Sequence, residues 1–177
     1  MRKLTMSELG RKSVTEFKGA KKIPLIIVLD NVRSAHNVGS VFRTADSFLL
    51  EAIYLCGITA QPPHREILKT ALGAASSVDW KYFQNTLDAV NELKKNGFQI
   101  ISVEQTTKSI KLNDFIPASD EKFAVVFGNE VSGVDADVIS TSDFSIEIPQ
   151  SGTKHSLNIS VCAGIVVWDF FIKIKNL

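Results

Sequence analysis

From residue 23 onward the chain alternates short apolar runs with longer amphipathic ones. Ile23 to Leu29 (IPLIIVL) is continuously apolar over strand length, the pattern of a strand covered on both faces. A helix is expected from about His36 or Asn37 to Phe48, with Val38, Val41, Phe42 and Ala45 on one side, and Ala52 to Cys56 reads as the second strand. Gln61-Pro62-Pro63 breaks the chain ahead of a helix from about His64 to Leu72. Val78 to Phe83 alternates as a strand, and Leu87, Ala89, Val90 and Leu93 mark a helix that Gly97 ends. Phe98 to Val103 and Phe123 to Phe127 are further strands, with a looser segment from Thr106 to Ser119 between them. A short helix near Ala136 to Ser140, a strand from Phe144 to Ile148 and a long final helix complete the pattern. Upstream, Leu4 to Lys18 reads as a short helix with Leu9, Val14 and Phe17 inward, weakened by Gly10.

This alternation predicts an α/β fold, a mostly parallel sheet with helices on both faces. Neither repeat nor linker interrupts the 177 residues, so the expected division is a short basic segment over 1–22 and a single domain over 23–177. The first twenty residues hold no apolar core of a signal peptide, and Cys56 and Cys162 sit in apolar runs without metal-ligand or redox spacing. Both features predict a cytoplasmic protein with buried, reduced thiols. The stretch Leu157 to Ile172 (LNISVCAGIVVWDFFI) is apolar on nearly every face and must be buried all round. Asn158, Ser160, Gly164 and Asp169 interrupt it, and it falls short of the roughly twenty apolar residues of a membrane span. One face is therefore expected on the sheet and another on a second subunit, with no membrane partner.

The net charge of +1 conceals an asymmetry. Residues 1–22 carry Arg2, Lys3, Arg11, Lys12, Lys18, Lys21 and Lys22 against Glu8 and Glu16, a local +5 that leaves −4 on the rest. A basic arm of this kind suits RNA or DNA, and equally a merely solubilising surface helix.

The candidate chemistry lies in three polar segments, NVRSAHNVGSVFRTAD (31–46), FGNEVSGVD (127–135) and IEIPQSGTKHSLNISVCAG (146–164). Each starts where an apolar strand ends, the position at which open α/β sheets bind ligands. Gly128 and Gly133 have the spacing of a phosphate loop, but Val134-Asp135 replace its Lys-Ser/Thr, and no dinucleotide fingerprint follows the first strand. No metal-ligand spacing is present, so no metal is expected. Ser156 and His155 are adjacent and do not face one another as a nucleophile and base would.

Taken together, the three segments resemble the motifs of the SpoU/TrmH family of RNA ribose 2′-O-methyltransferases, within the SPOUT superfamily. Asn37, Gly39 and Arg43-Thr44-Ala45 look like the first motif, Gly128-Asn129-Glu130 with Gly133 like the second, and Ile148-Pro149 with Ser156-Leu157-Asn158-Ile159-Ser160-Val161 like the third. The resemblance implies a deep C-terminal trefoil knot, an exception to the rule that chains do not thread their own loops. It implies S-adenosyl-L-methionine as cofactor, with contacts at Glu104, Gly128, Ile148, Ser156 and Leu157. Catalytic roles fall by motif position on Arg43, Asn37, Glu130, Ser156 and Asn158. Asn37 would fix Arg43 or the ribose, Glu130 would pair with a cation, and Ser156 and Asn158 would hydrogen-bond across the site. Arg43 is regarded in the family as catalytic, but an always-protonated guanidinium suits orientation of phosphate better than proton abstraction. Arg33, His36, Lys154 and His155 are expected to touch RNA. The resemblance also implies a homodimer through the C-terminal helix region. The short basic segment, with no separate RNA-binding domain, favours transfer RNA over ribosomal RNA. A knotted RNA-binding assembly factor and a small-molecule methyltransferase are the alternative readings.

Overall fold

The computed structural model describes residues 1–5, 7–118 and 120–176. Met6 and Ser119, which fall in the expected first helix and the looser segment, lie outside the described residues, as does Leu177. The strands are β1 (Ile23–Asp30), β2 (Leu50–Cys56), β3 (Asp79–Phe83), β4 (Phe98–Val103), β5 (Ile110–Lys111), β6 (Lys122–Phe127) and β7 (Phe144–Glu147). The helices are α1 (Val14–Gly19), α2 (Ala35–Ser47), α3 (Arg65–Ala71), α4 (Ala74–Ser77), α5 (Thr86–Lys95), α6 (Ala136–Thr141) and α7 (Ile159–Lys175). All seven strands form one sheet in the order β3-β2-β1-β6-β4-β7-β5, every neighbouring pair parallel.

The period of two in β1 explains how the sheet is sandwiched. Leu25, Ile27 and Leu29 join a core with α2, α3, α4 and α7, while Ile26 and Val28 face a second core with α5 and α6. Chain order reverses at the middle of the sheet: β1 to β3 run outward on one side, and β6 inserts between β1 and β4 on the other. That switch opens a crevice at the carboxyl ends of the central strands.

Three details depart from the expected elements. The first helix is only α1, because Gly10 in a left-handed conformation (φ +56°) ends a preceding turn, and helix starts at a Ser13–Glu16 capping box. Leu9 and Val14 are exposed rather than inward, and Phe17 alone is buried, joining the core of the domain. The looser segment contains the two-residue edge strand β5 and a single 3-10 turn at Leu112–Asp114, both too short to leave a periodic signal. Finally, α7 is not buried on all sides of this chain. Ile159, Ala163, Val166, Val167 and Phe170 pack inward, whereas Val161, Ile165 and Trp168 form an exposed apolar stripe.

Helices α2 and α3 meet at Gly39. A Cβ there would stand 2.0 Å from Thr70 Oγ1 and 2.4 Å from the Ile67 carbonyl oxygen, so the two helices cross in near-backbone contact. Gly39→Ala drives α3 outward, an overpacking that costs about 1–3 kcal/mol. Calorimetry of that variant is expected to show Tm lowered by roughly 3–10 °C.

Candidate active site

A cavity of about 620 Å³ lies at the carboxyl ends of β4, β6 and β7. Its walls come from the ends of those strands and from the second and third polar segments, with Val103, Ile146, Ile148, Leu157 and Cys162 supplying the apolar part. The size suits an organic ligand of cofactor dimensions.

Each loop around the cavity is held by a specific donor and acceptor. Gly128 leaves β6 in close contact with the returning chain: a Cβ there would lie 2.0 Å from the Gly133 carbonyl carbon and 2.1 Å from the Val134 nitrogen. The backbones of Asn129 and Gly133 exchange two hydrogen bonds of 2.9 Å, closing the loop into a tight turn. At its exit, Val134 N–H donates to Glu104 Oε2 at 3.1 Å and Asp135 N–H to Asp30 Oδ2 at 2.9 Å. Asp30 is 1% exposed and its other oxygen accepts from Thr86 Oγ1 (2.6 Å) and Asn31 Nδ2 (2.9 Å), so one buried carboxylate ties β1, α5 and the entry to α6 together. Asn129 Nδ2 donates to the Asn31 carbonyl at 2.7 Å, joining the same loop to the end of β1.

Glu130 then bridges the second segment to the first. Its carboxylate accepts from the backbone N–H groups of Arg33 (2.9 Å) and Ser34 (3.1 Å), ahead of α2, and from Asn37 Nδ2 (3.2 Å). A carboxylate at a helix N-terminus satisfies amides that lack intrahelical partners. Partial burial pushes the Glu130 carboxyl upward, but these donors outweigh it and hold it below the ordinary carboxylate range. The third segment joins through Asn158, whose Nδ2 donates to Asn37 Oδ1 at 3.3 Å while its Oδ1 caps α7 by accepting from Ser160 N–H at 2.9 Å.

The structure thus brings Asn37, Glu130 and Asn158 into one chain of hydrogen bonds, and places Glu104, Gly128, Ile148, Ser156 and Leu157 on the cavity wall. Several expected contacts differ. Glu130 binds backbone amides instead of a cation, because the α2 N-terminus reaches it first. Asn37 bonds to Glu130 and Asn158 rather than to Arg43, which lies two turns farther along α2 and faces a separate groove with Lys69. Asn158 bonds across the site to Asn37 as expected, whereas Ser156 is exposed and its hydroxyl makes no such bond among the described residues. Among the predicted RNA contacts, Arg33 and Lys154 are exposed, His155 lines the cavity with its carbonyl held by Gln105 Nε2 (2.8 Å), and His36 is paired with Glu66.

Sequence reasoning missed Asp30, Asn31 and Asn129 as supports of the loop. A polar Asp-Asn pair directly after an apolar strand was the available signal. Burial raises both thiols, Cys56 to about 12 and Cys162, which borders the cavity, to about 11, so neither is a ready nucleophile at neutral pH.

Residues 24–168 match the SpoU rRNA Methylase family over most of the chain. The chain belongs to that family. An uncharacterised tRNA/rRNA methyltransferase of Borreliella burgdorferi is 32% identical over 152 residues, covering 84% of this chain and 64% of that protein. A tRNA (guanosine(18)-2′-O)-methyltransferase of the same organism is 26% identical, covering 86% of this chain and 68% of that protein. This SpoU-family chain therefore spans about two thirds of the length of those relatives. Among solved structures, the TrmH/SpoU tRNA modifying enzyme of A. aeolicus superposes with a TM-score of 0.80 at 24% identity, covering 92% of this chain and 81% of the other. An AdoMet-bound rRNA methyltransferase from Sinorhizobium meliloti gives 0.77 at 23% identity, covering 86% and 58%. At these identities the likeness establishes a shared fold. In this SpoU-family chain the second and third motifs wall the cavity, and the first joins them through Asn37.

Proposed function

We propose that this chain is an S-adenosyl-L-methionine-dependent methyltransferase that acts on a ribose 2′-hydroxyl of RNA, transfer RNA in preference to ribosomal RNA. The observation that carries the reading is the Glu130–Asn37–Asn158 chain, which joins all three family motifs at the mouth of the cavity.

The residues present fit the cofactor. S-adenosylmethionine combines an adenosine, which needs apolar walls, with a sulfonium and an ammonium, which favour nearby carboxylates. Val103, Ile146, Ile148 and Leu157 supply the walls, and Glu104, Glu130 and Glu147 line the same cavity. The close Gly128–Val134 approach keeps this rim free of side chains, so backbone groups can meet the ligand directly. When bound, the cofactor would supply an electrophilic methyl to the ribose 2′-oxygen, the carbon–sulfur bond breaking as the carbon–oxygen bond forms and the hydroxyl proton passing to solvent water.

Most of the acceleration in such a transfer comes from positioning. Glu130 and Asn158 anchor the start of α2 against the cavity, and α2 carries Arg43. The Arg43 guanidinium, facing the groove between α2 and α3, assists by holding a phosphate of the substrate and so positioning the ribose. The family's trefoil knot is part of this reading, with the loops 128–135 and 148–158 as the threaded pieces. An RNA substrate makes the cytoplasm the compartment of this reading.

The same reading includes a homodimer through the C-terminal helix region. Its support is the exposed stripe of Val161, Ile165 and Trp168, continuous with Phe48 and Phe171, whose rings stand 5.8 and 6.1 Å from that of Trp168. Trp168→Glu is expected to shift the protein toward monomer in sedimentation analysis while leaving far-ultraviolet circular dichroism unchanged. A monomeric parent protein sinks this part of the proposal.

The direct test is transfer of radiolabelled methyl from S-adenosylmethionine to separated transfer and ribosomal RNA pools from a strain lacking the protein. Label in transfer RNA that survives alkali as a 2′-O-methyl dinucleotide is the expected result. Calorimetric binding of the cofactor without label in any RNA overturns the reading in favour of an assembly factor or a small-molecule enzyme.

A further inference from the structure

The groove that holds Arg43 carries chemistry the cofactor cavity lacks. It encloses about 530 Å³ between α2 and α3, with Ser40, Arg43, Thr44, Phe48, Lys69 and Leu72 among its walls. Arg43 and Lys69 are both exposed, and among the described residues neither forms an ion pair. Glu66, one turn before Lys69, is engaged by His36, and Asp46, one turn after Arg43, is half-buried. The hydroxyls are already committed: Ser40 donates to the His36 carbonyl (2.9 Å), Thr44 to Ser40 (3.2 Å), Ser47 to Arg43 (2.9 Å) and Thr70 to His36 (3.0 Å). Every free donor side chain in this groove is therefore a cation, which selects an anionic ligand.

The surroundings point to a polyanion. Helix α4 follows α3 after two residues, and α1 packs against α4, so the basic segment over 1–22 enters the fold on the same helical layer as the groove. An RNA strand lying along that layer would exchange condensed counterions for Lys12, Lys18, Lys21 and then Lys69.

We propose that the α2–α3 groove is an RNA-backbone subsite, in which Lys69 holds a phosphodiester of the substrate beside Arg43 and outside the cofactor cavity. The proposal rests on the RNA methyltransferase reading. Lys69 touches no cofactor-cavity residue through a hydrogen bond or ion pair, so it contributes to RNA affinity and not to the chemical step. Its charge and not its shape is what the phosphate reads, since a single lysine recognises phosphate as a point charge.

The test is made on the full chain with Lys69→Ala, Lys69→Glu and Lys69→Arg. RNA KM and kcat are measured across a salt series, together with cofactor affinity by calorimetry and oligomeric state by sedimentation. For Lys69→Ala, KM for RNA is expected to rise roughly threefold to tenfold, and the slope of log affinity against log salt to shrink by about 0.7–0.9. Lys69→Glu does more of both, and Lys69→Arg restores them. The kcat at saturating RNA, the cofactor affinity and the oligomeric state stay at parent values. An unchanged salt slope overturns the subsite, and a change of oligomeric state in Lys69→Glu overturns it in favour of a subunit contact. If the parent protein methylates no RNA, the broader reading fails on that result alone. Fluorescence anisotropy with unmodified total transfer RNA then judges the groove by the same salt slope.

Discussion

Gly128→Ala is expected to weaken cofactor binding at least tenfold and to slow methyl transfer. The Cβ it adds meets the Gly133 carbonyl carbon at 2.0 Å, the Val134 nitrogen at 2.1 Å and the Gly133 oxygen at 2.3 Å, all backbone atoms that no rotamer change can move aside. Relief requires the loop to shift by an ångström or more. That shift breaks the paired Asn129–Gly133 hydrogen bonds and pulls Val134 from Glu104. Glu130 sits at the tip of the same loop, so its grip on Arg33, Ser34 and Asn37 is lost together with the cavity rim. A misplacement of that size costs on the order of 100-fold in rate, and the overpacking costs about 1–3 kcal/mol of stability. Calorimetric titration with S-adenosylmethionine is expected to show affinity weakened at least tenfold at a temperature well below the lowered Tm. Unchanged affinity would remove Gly128 from the site.

Arg43→Ala has the opposite signature. Arg43 does not line the cofactor cavity, and the hydrogen bonds that shape the cavity do not pass through its side chain. Cofactor affinity and Tm should therefore match the parent, while kcat falls by roughly 100-fold as the ribose loses the phosphate contact that positions it. Arg43→Lys recovers only a small part, because a lysine lacks the planar fork that can engage phosphate and ribose together. Single-turnover transfer with saturating RNA separates the two steps. A variant that binds RNA tightly and transfers slowly supports a role in the reaction itself, whereas a variant whose loss vanishes at high RNA concentration assigns Arg43 to binding alone.

The contrast between these residues shows which information a single chain carries in its order. Gly128 and Arg43 both belong to motifs recognisable from residue type and spacing. Their separation into a cavity wall and a second groove is not written in those motifs. Similarly, Asn37, Ser156 and Asn158 are all plausible helix-capping residues, yet only Asn158 caps, and Ser34 occupies the cap of α2. Local sequence offers the capping chemistry at several positions, and the entry angle of the chain decides which is used. The first helix shortened to α1 for the same kind of reason: spacing placed Leu9, Val14 and Phe17 on one side, but there was core to receive only Phe17.

By itself the sequence determined the α/β alternation, the strands that are covered on both faces, the bounds of α2 and α5 within a few residues, and the three motifs that name the family. These are set by periodicity and side-chain chemistry over short stretches, where burial of one face or two leaves a direct imprint. Tertiary structure alone decided that β6 inserts between β1 and β4, that the buried Asp30 carboxylate anchors a loop 105 residues later, and that Glu130 reaches back 93 residues to Asn37 and Asn158 reaches back 121. It also decided that α7 keeps one apolar face bare. Such contacts depend on which surfaces meet after the chain reverses through the sheet, and a hydrogen-bonding side chain carries the same local signature whatever distant partner it finally meets.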